Sequence, residues 1–289
     1  MKLLSFGEML WDVYPEEKYI GGAPLNFAAH SAKHGEDVAM LSAVGNDELG
    51  RETIEQVKKW GISTAYISVI DHKETGRCMV ELDSNFVPTY HLLEDVAYDT
   101  IPCENLPDAF DVLYFGTLAL RSESNFSSLK KLIETNHFRE IFVDVNIREP
   151  FYSKEVVAFA AENATMIKIS EEELSCVARL LDLQEDFTYQ GFAQKLAEVY
   201  PNLTCIIITL GEKGAYALRC KEKAEYFCES KPVEVVSTVG AGDSFSAAFL
   251  HQYMQGKEMN FCLQYASNVA GFVVSKPGAV PDYHCEDFA

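Results

Sequence analysis

The segment Ser237-Thr238-Val239-Gly240-Ala241-Gly242-Asp243 carries the strongest chemical signal in the sequence. It follows the apolar Val233-Glu234-Val235-Val236 and leads into a helical pattern, Ser244 to Gln255, rich in Ala and Phe. A loop of small residues at a helix N-terminus offers an anion unpaired backbone N–H groups and the positive end of the helix dipole. Gly240 and Gly242 let the backbone come close to such a ligand. Asp243 has two readings that the loop alone leaves even: a helix-dipole residue worth ~0.3 to 1 kcal/mol, or a general base beside an anion site. Gly240-Ala241-Gly242-Asp243-Ser244-Phe245 begins like the dinucleotide fingerprint G-x-G-x-x-G. Its third position is Phe, it lies late in the chain, and no acidic residue ends a following strand. No G-x-x-x-x-G-K-[ST] occurs, so a P-loop is absent.

Two further segments place polar groups at element ends. In Gly21-Gly22-Ala23-Pro24-Leu25-Asn26-Phe27-Ala28, two glycines and a helix-starting Pro make a turn feeding a helix. Asn26 then falls in the first turn with its amide free to grip a hydroxyl; a plain loop-to-helix junction explains the same residues. In Gly7-Glu8-Met9-Leu10-Trp11-Asp12, Asp12 falls just past the first apolar run. Ligands of open parallel sheets bind at strand C-termini, although a lone Asp there is more often a turn residue. His30 and His34 are four apart, but Ser31 stands where H-E-x-x-H needs Glu, which predicts a solvated helix face. Asp182 to Asp186 reads as solvated acidic surface.

The elements that must position these residues alternate. Strand-like runs are Leu3 to Phe6, Val38 to Val44, Val112 to Phe115, Ile141 to Val145, Met166 to Ile169 and Cys205 to Leu210. Between them lie amphipathic segments at Asp47 to Trp60, Asn125 to Thr135, Glu171 to Leu181 and Gly191 to Tyr200. This rhythm predicts an α/β fold with a mostly parallel central sheet and helices on both faces. Two stretches break it. Residues 75 to 100 contain a hairpin pattern, Arg77 to Leu82 and Pro88 to Leu93 around a turn at Asp83-Ser84-Asn85, and residues 12 to 20 are short and aromatic. Together they predict a small β-lid over the main sheet within a single domain spanning 1–289.

Composition narrows the function classes. Of 289 residues, 24 are basic and 44 acidic, a net charge of −20, with 48% hydrophobic residues. That is the composition of an ordinary globular protein. The acidity argues against nucleic-acid and anionic-membrane partners, which reward Lys and Arg. No apolar run approaches ~20 residues, and the first residues lack a signal-peptide pattern. The eight cysteines form no C-x-x-C and sit mostly in apolar patterns. A reduced, cytoplasmic protein is expected, in which the Asn-x-Ser/Thr matches at Asn125, Asn163 and Asn202 carry no meaning.

The set of motifs resembles the PfkB/ribokinase family of carbohydrate kinases. Gly-Gly-x-x-x-Asn-x-Ala at 21 to 28 and Thr-Val-Gly-Ala-Gly-Asp at 238 to 243 are similar to its two signatures. Gly45-Asn46-Asp47-Glu48-Leu49-Gly50 resembles its G-x-D-x-x-G, and Lys168-Ile169-Ser170-Glu171-Glu172-Glu173 its K-x-N-x-x-E. Thr209-Leu210-Gly211-Glu212-Lys213-Gly214 resembles T-x-G-x-x-G, and Ala266-Ser267-Asn268 the stretch bordering the adenine. Within the family, residues 7–12, Asp144-Val145-Asn146-Ile147-Arg148 and Tyr114-Phe115-Gly116-Thr117-Leu118 look most like fructokinases.

The resemblance implies a ribokinase-like fold and transfer of the γ-phosphoryl group of ATP to a sugar hydroxyl with Mg2+, fructose being the leading acceptor. 2-Keto-3-deoxygluconate, ribose or a nucleoside are the alternatives, and a catalytically silent sugar-sensing protein on the same fold is a rival of another class. It implies Asp243 as general base, with the Gly240-Ala241-Gly242 loop as anion hole, and Asp12, Gly21, Gly22 and Asn26 on the sugar. Arg148 steadies phosphate or substrate, or makes a structural ion pair. Glu173 acts on magnesium through water. Lys168, Ser170, Thr209, Gly211, Gly214 and Asn268 face the nucleotide, and lid strands pairing between subunits would give a homodimer. Ser237 replaces the family's Asp of the monovalent-cation site, which leaves potassium activation in doubt; Ser170 replaces the Asn of K-x-N-x-x-E. Both keep an oxygen.

Overall fold

The computed structural model describes residues 1–288 except 83–87, 104–105, 108 and 184–187. Among the described residues the main sheet has nine strands. Its parallel part comprises β1 (Lys2–Phe6), β4 (Asp37–Gly45), β5 (Ser63–Ile70), β8 (Val112–Gly116), β9 (Glu140–Asp144), β10 (Met166–Ser170) and β11 (Cys205–Thr209). The hairpin β12 (Ala215–Arg219) and β13 (Ala224–Cys228) is added antiparallel at one edge. The spatial order is β13-β12-β11-β10-β9-β8-β1-β4-β5. From β1 the chain first builds outward through β4 to β5, then returns to lay β8 on the other side. The order therefore reverses between β1 and β8, and in an open α/β sheet that is where strand ends leave a crevice.

Alternation in β1 shows why both faces need cover. Leu4 and Phe6 enter one core with Leu113, Phe115, Leu129, Val157 and Phe192. Leu3 enters the other, with Leu25, Phe27, Phe245, Phe249 and Val269. The first face is covered by α3 (Glu123–Thr135), α4 (Lys154–Asn163), α5 (Leu174–Leu180) and α6 (Tyr189–Val199). The second is covered by α1 (Ala23–Lys33), α2 (Glu48–Lys59), α7 (Ala241–Met254) and α8 (Met259–Val274). The mostly parallel α/β architecture is thus the expected one. The edge strand β5 and the β12–β13 hairpin are additions that the apolar-run reading did not contain.

A second sheet pairs β3 (Lys18–Gly21), β2 (Leu10–Val13), β6 (Gly76–Leu82) and β7 (Pro88–Leu92) in that order. β2 runs parallel to β6, with Asp12 opposite Cys78. The expected hairpin is present as β6 and β7; its turn at Asp83-Ser84-Asn85 lies outside the described residues, as does most of the 182–186 acidic patch. The connection into β6 is anchored by Asp47. Its Oδ1 accepts from Gly50 N (2.8 Å) and Thr75 Oγ1 (2.6 Å), and its Oδ2 accepts from Thr75 N (2.8 Å). Burial works against the anion here, but the donors from Thr75 and Gly50 outweigh it and hold the carboxyl below its ordinary range. Asp47→Ala is expected to cost ~1 to 3 kcal/mol, a lost cap plus buried donors left unpaired. Urea unfolding of the variant at wild-type midpoint would remove the anchoring role.

His30 and His34 depart from expectation. Both are buried, because α1 packs against α7 and the stretch around Ala279–Tyr283 closes over the outer face of the helix. His30 bonds to Tyr283 Oη (2.8 Å) and Ala279 O (2.9 Å), and His34 Nδ1 to His30 O (2.7 Å). Burial pushes His30 down to about 3 and His34 to about 4, so both are neutral core residues, not a solvated face.

Candidate active site

The first piece of the site is the start of α7. Gly240 caps this helix in the left-handed region (φ 80°), and a Cβ there would lie 2.4 Å from the Ala279 carbonyl oxygen, so only glycine fits. The first intrahelical bond runs from Ser244 N–H to Gly240 O at 2.9 Å. The N–H groups of Gly242 and Asp243 precede that bond, and the Ala241 N–H reaches only Thr238 O at 3.3 Å. Asp243 itself is 8% exposed and lies in this first turn.

The second piece is the start of α1. Gly22 has φ 108°, and a Cβ there would meet the Glu8 carbonyl oxygen at 2.5 Å. This turn aims Asn26 across to α7, where its Nδ2 donates to Asp243 Oδ2 at 2.8 Å. Asp12, on β2, comes in from the same side: a Cβ on Gly21 would sit 3.2 Å from its Oδ2.

The third piece is an ion pair across two adjacent strands. Parallel register sets Lys168 of β10 beside Asp144 of β9. Lys168 Nζ donates to both Asp144 oxygens at 2.7 Å, with side-chain exposures of 6% and 3%. Burial favours losing the Lys168 proton, but the Asp144 carboxylate wins and holds the ammonium above its ordinary value. Gly242 faces this ammonium closely: a Cβ there would be 3.3 Å from Lys168 Nζ. A fixed positive charge therefore sits beside the open N–H groups of α7.

Electrostatics tie the pieces together. Burial raises Asp243 to about 6, and Asp144 adds to the rise, while Asn26, Lys168 and Arg148 oppose it. Burial also raises Asp12 to about 6, against Arg148. Glu8 rises to about 7 through burial, offset by backbone N–H groups and Arg148 and reinforced by Asp243. Arg148, beyond β9 and exposed, is thus the cation felt by all three carboxyls. Such clustering of perturbed acids is what functional sites show.

The remaining sequence candidates lie along the strand ends beyond β10. Glu173 Oε1 accepts from Ile147 N (2.6 Å), and its Oε2 from Ser170 N (2.8 Å) and Ser170 Oγ (2.9 Å). Thr209 ends β11, and Gly211 and Gly214 form the turn into β12. Ser230 Oγ donates to Gly211 O at 3.2 Å, and Cys228 and Ser267 touch at 3.2 Å, which joins that turn to α8. Asn268 lines a cleft of about 440 Å³ with Lys231, Val233, Gly271, Phe272 and Phe288. Among the described residues no three His, Cys, Asp or Glu side chains cluster as metal ligands. Ser237 Oγ accepts from Val239 N at 3.3 Å.

The structure thus brings Asp12, Gly21, Gly22, Asn26, Arg148, Lys168, Gly242 and Asp243 together, with the nucleotide-facing candidates set along the neighbouring strand ends. Two participants were not singled out from the sequence: Asp144, the Lys168 partner, and Glu8.

A carboxyl and a cation at a helix N-terminus, beside a mostly parallel α/β sheet, form a site suited to an anionic group. The chain belongs to the pfkB family of carbohydrate kinases, whose model matches residues 6–284. It is similar to an uncharacterized sugar kinase, PH1459, of Pyrococcus horikoshii: 28% identity over 277 residues, 93% of this chain and 85% of the relative. It is 26% identical to fructokinase-2 of Oryza sativa subsp. japonica, over 96% of this chain and 90% of that one. The crystal structure of PH1459 in complex with ATP superposes with a TM-score of 0.82 at 25% identity, covering 99% of this chain and 96% of the other. The ribokinase-like fold is therefore shared. No helix among the described residues is long and apolar enough to cross a membrane.

Proposed function

We propose that this carbohydrate kinase transfers the γ-phosphoryl group of ATP to a hexose hydroxyl, with fructose the preferred acceptor, and that Asp243 is the general base. The observation that carries the reading is the Asn26–Asp243 contact. It holds a buried carboxylate between the sugar-side residues and the open end of α7. Asp243 takes the hydroxyl proton as that oxygen attacks the γ-phosphorus, and ADP departs with the bridging oxygen. Charge spread over the transferred oxygens meets the N–H groups of Gly242 and Asp243, with Lys168 beside them; such fixed donors stabilise phosphoryl transition states without reorganising.

Asp12, Gly21, Gly22 and Asn26 hold the sugar, and Arg148 steadies the phosphate or the substrate. Lys168, Ser170, Thr209, Gly211, Gly214 and Asn268 face the nucleotide, its base entering the Asn268 cleft. Magnesium arrives with the nucleotide as MgATP. Glu173, its oxygens engaged by Ile147 and Ser170, would hold that magnesium through water, where the ion would offset charge on the phosphates. Ser237 places a neutral hydroxyl where the family carries a carboxylate, which supports weak or absent potassium activation. The whole chain acts as one domain. The second sheet is its lid, closing over sugar and ATP to exclude water. Tyr19 and Met79, exposed on that sheet, support pairing of two lids in a cytoplasmic homodimer.

The test is coupled ADP release with MgATP over a panel of fructose, other hexoses, ribose, 2-keto-3-deoxygluconate and nucleosides. Fructose is expected to lead in kcat/KM. Another leading acceptor keeps the chemistry and replaces the sugar, whereas no turnover by folded, ATP-binding protein points to a sensor. Asp12→Ala is expected to raise the sugar KM about tenfold or more, one charge-assisted hydrogen bond being worth ~1.5 to 3 kcal/mol, with kcat changed less. An unaltered KM would remove Asp12 from the sugar site.

A further inference from the structure

Glu8 is the buried acid that the reaction above does not use. It sits in the turn leaving β1, at the sheet's switch point. Two contacts fix that turn: Gly7 N–H reaches Leu41 O at 3.2 Å, and Ser42 Oγ donates to Gly7 O at 2.6 Å. The Glu8 backbone and Cγ lie against Gly22, where a Cβ would be 2.5 Å from its carbonyl oxygen and 3.4 Å from Cγ. The side chain is 2% exposed, yet its Oε2 has no hydrogen-bond partner. Asn26 Oδ1, 3% exposed, likewise has none, although its Nδ2 is spent on Asp243. Two orphaned buried acceptors thus flank the turn that leads to the base. Each such atom costs a folded protein ~1 to 3 kcal/mol unless something fills the gap.

Resting on the hexose-kinase reading, we propose that Glu8 is a specificity residue whose Oε2 pairs with a sugar hydroxyl next to the one Asp243 deprotonates. A carboxylate accepts from a hydroxyl, and a protonated carboxyl also donates to one, so a polyol satisfies either form. An acceptor lacking that hydroxyl leaves the buried oxygen unpaired, which is how polar sites reject analogues.

The groups facing Glu8 set its titration. Asp243 from α7 disfavours the anion. Arg148 beyond β9 and the backbone N–H groups of Glu8 and Ala23 favour it. Tyr98, before β8, and Tyr114, in β8, are pushed up chiefly by burial, and the Glu8 charge adds to the rise in each. With burial dominant, the carboxyl titrates at about 7. The form that meets the sugar therefore changes near neutrality, and the sugar KM changes with it.

The experiment compares kcat/KM for D-fructose and its monodeoxy analogues in wild type, Glu8→Ala and Glu8→Gln, each checked for native melting. One analogue that keeps the acceptor hydroxyl is expected to lose roughly 10- to 100-fold in wild type. In Glu8→Ala that penalty should shrink to within about threefold, because no buried acid is left to orphan. Glu8→Gln, a neutral donor and acceptor, should keep the discrimination but lose the part of the sugar-KM change centred near pH 7, leaving the part that Asp12 and Asp243 contribute near pH 6. Equal tolerance of every such analogue by wild type, or the same discrimination in folded Glu8→Ala, would overturn the role while leaving fructose turnover, and so the kinase reading, in place. Absence of turnover on every sugar would overturn both.

Discussion

Asp243→Asn is expected to lower kcat by ~10² to 10⁴, the usual contribution of a general base, and at the same time to make the protein more stable at pH 7. The two effects share a cause. Burial first, then Asp144, lifts this carboxyl from 3.8 to about 6. Between those pH values the folded state holds a proton that the unfolded chain has released, so stability falls as pH rises through the window. Above pH 6 the penalty is complete, at about 3 kcal/mol by the conversion of pKa to free energy. Asparagine keeps an oxygen for Asn26 and carries no charge, so the penalty disappears. Melting curves of both proteins at pH 4 and pH 7 check this: similar stability at the lower pH, the variant ahead at the higher. Wild-type kcat/KM should in turn rise with pH through about 6 as the base ionises. Wild-type turnover by the variant would end the assignment of Asp243, and a variant less stable at pH 7 would end the electrostatic account.

Lys168→Met should have the largest effect on stability, with a second effect on rate. It strands the Asp144 carboxylate, whose side chain is 3% exposed, and breaking a buried ion pair from one side costs ~3 to 5 kcal/mol. Lys168 also counters the rise in Asp243, so its removal should move the acid limb of kcat/KM to higher pH. Pairing Lys168→Met with Asp144→Leu removes both charges, and buried pairs replaced by apolar groups of similar size often fold as well or better. The double variant is therefore expected to regain stability and remain slow. Denaturant midpoints and single-turnover phosphoryl transfer separate the two effects. A single variant with wild-type stability, or a double variant with wild-type rate, would each remove one half of the account.

What was legible in the sequence was local. The β-α rhythm gave six of the parallel strands, because strands buried on both faces read as continuous apolar runs such as Cys205 to Thr209. The glycine loop before α7 announced itself because it concentrates backbone constraints in a few residues. Asp144 gave no such sign. It matters through parallel register with a strand 24 residues on, and pairing between strands leaves no mark on either segment alone. Glu8 stood within a segment noted for Asp12, and its burial depends on Gly22 folding back over it. The histidines misled for a related reason: helical spacing gives a face but not what covers it, and the cover here comes from Tyr283, 253 residues away. The β12–β13 hairpin was hidden by short strands around a charged turn, Lys221-Glu222-Lys223, that resembles any surface loop.

The bond between Asn26 and Asp243 spans 217 residues of chain. A ribosome adding roughly 5 to 20 residues per second releases the sugar-side turn some tens of seconds before it completes the helix that carries the base. During that interval the emerging polypeptide holds the residues proposed to grip an acceptor but not the carboxylate proposed to activate it. The open N–H groups at the start of α7 are made in the same step as Asp243. With Asp243 as the base proposed above, a copy interrupted before the start of α7 is unable to spend nucleotide.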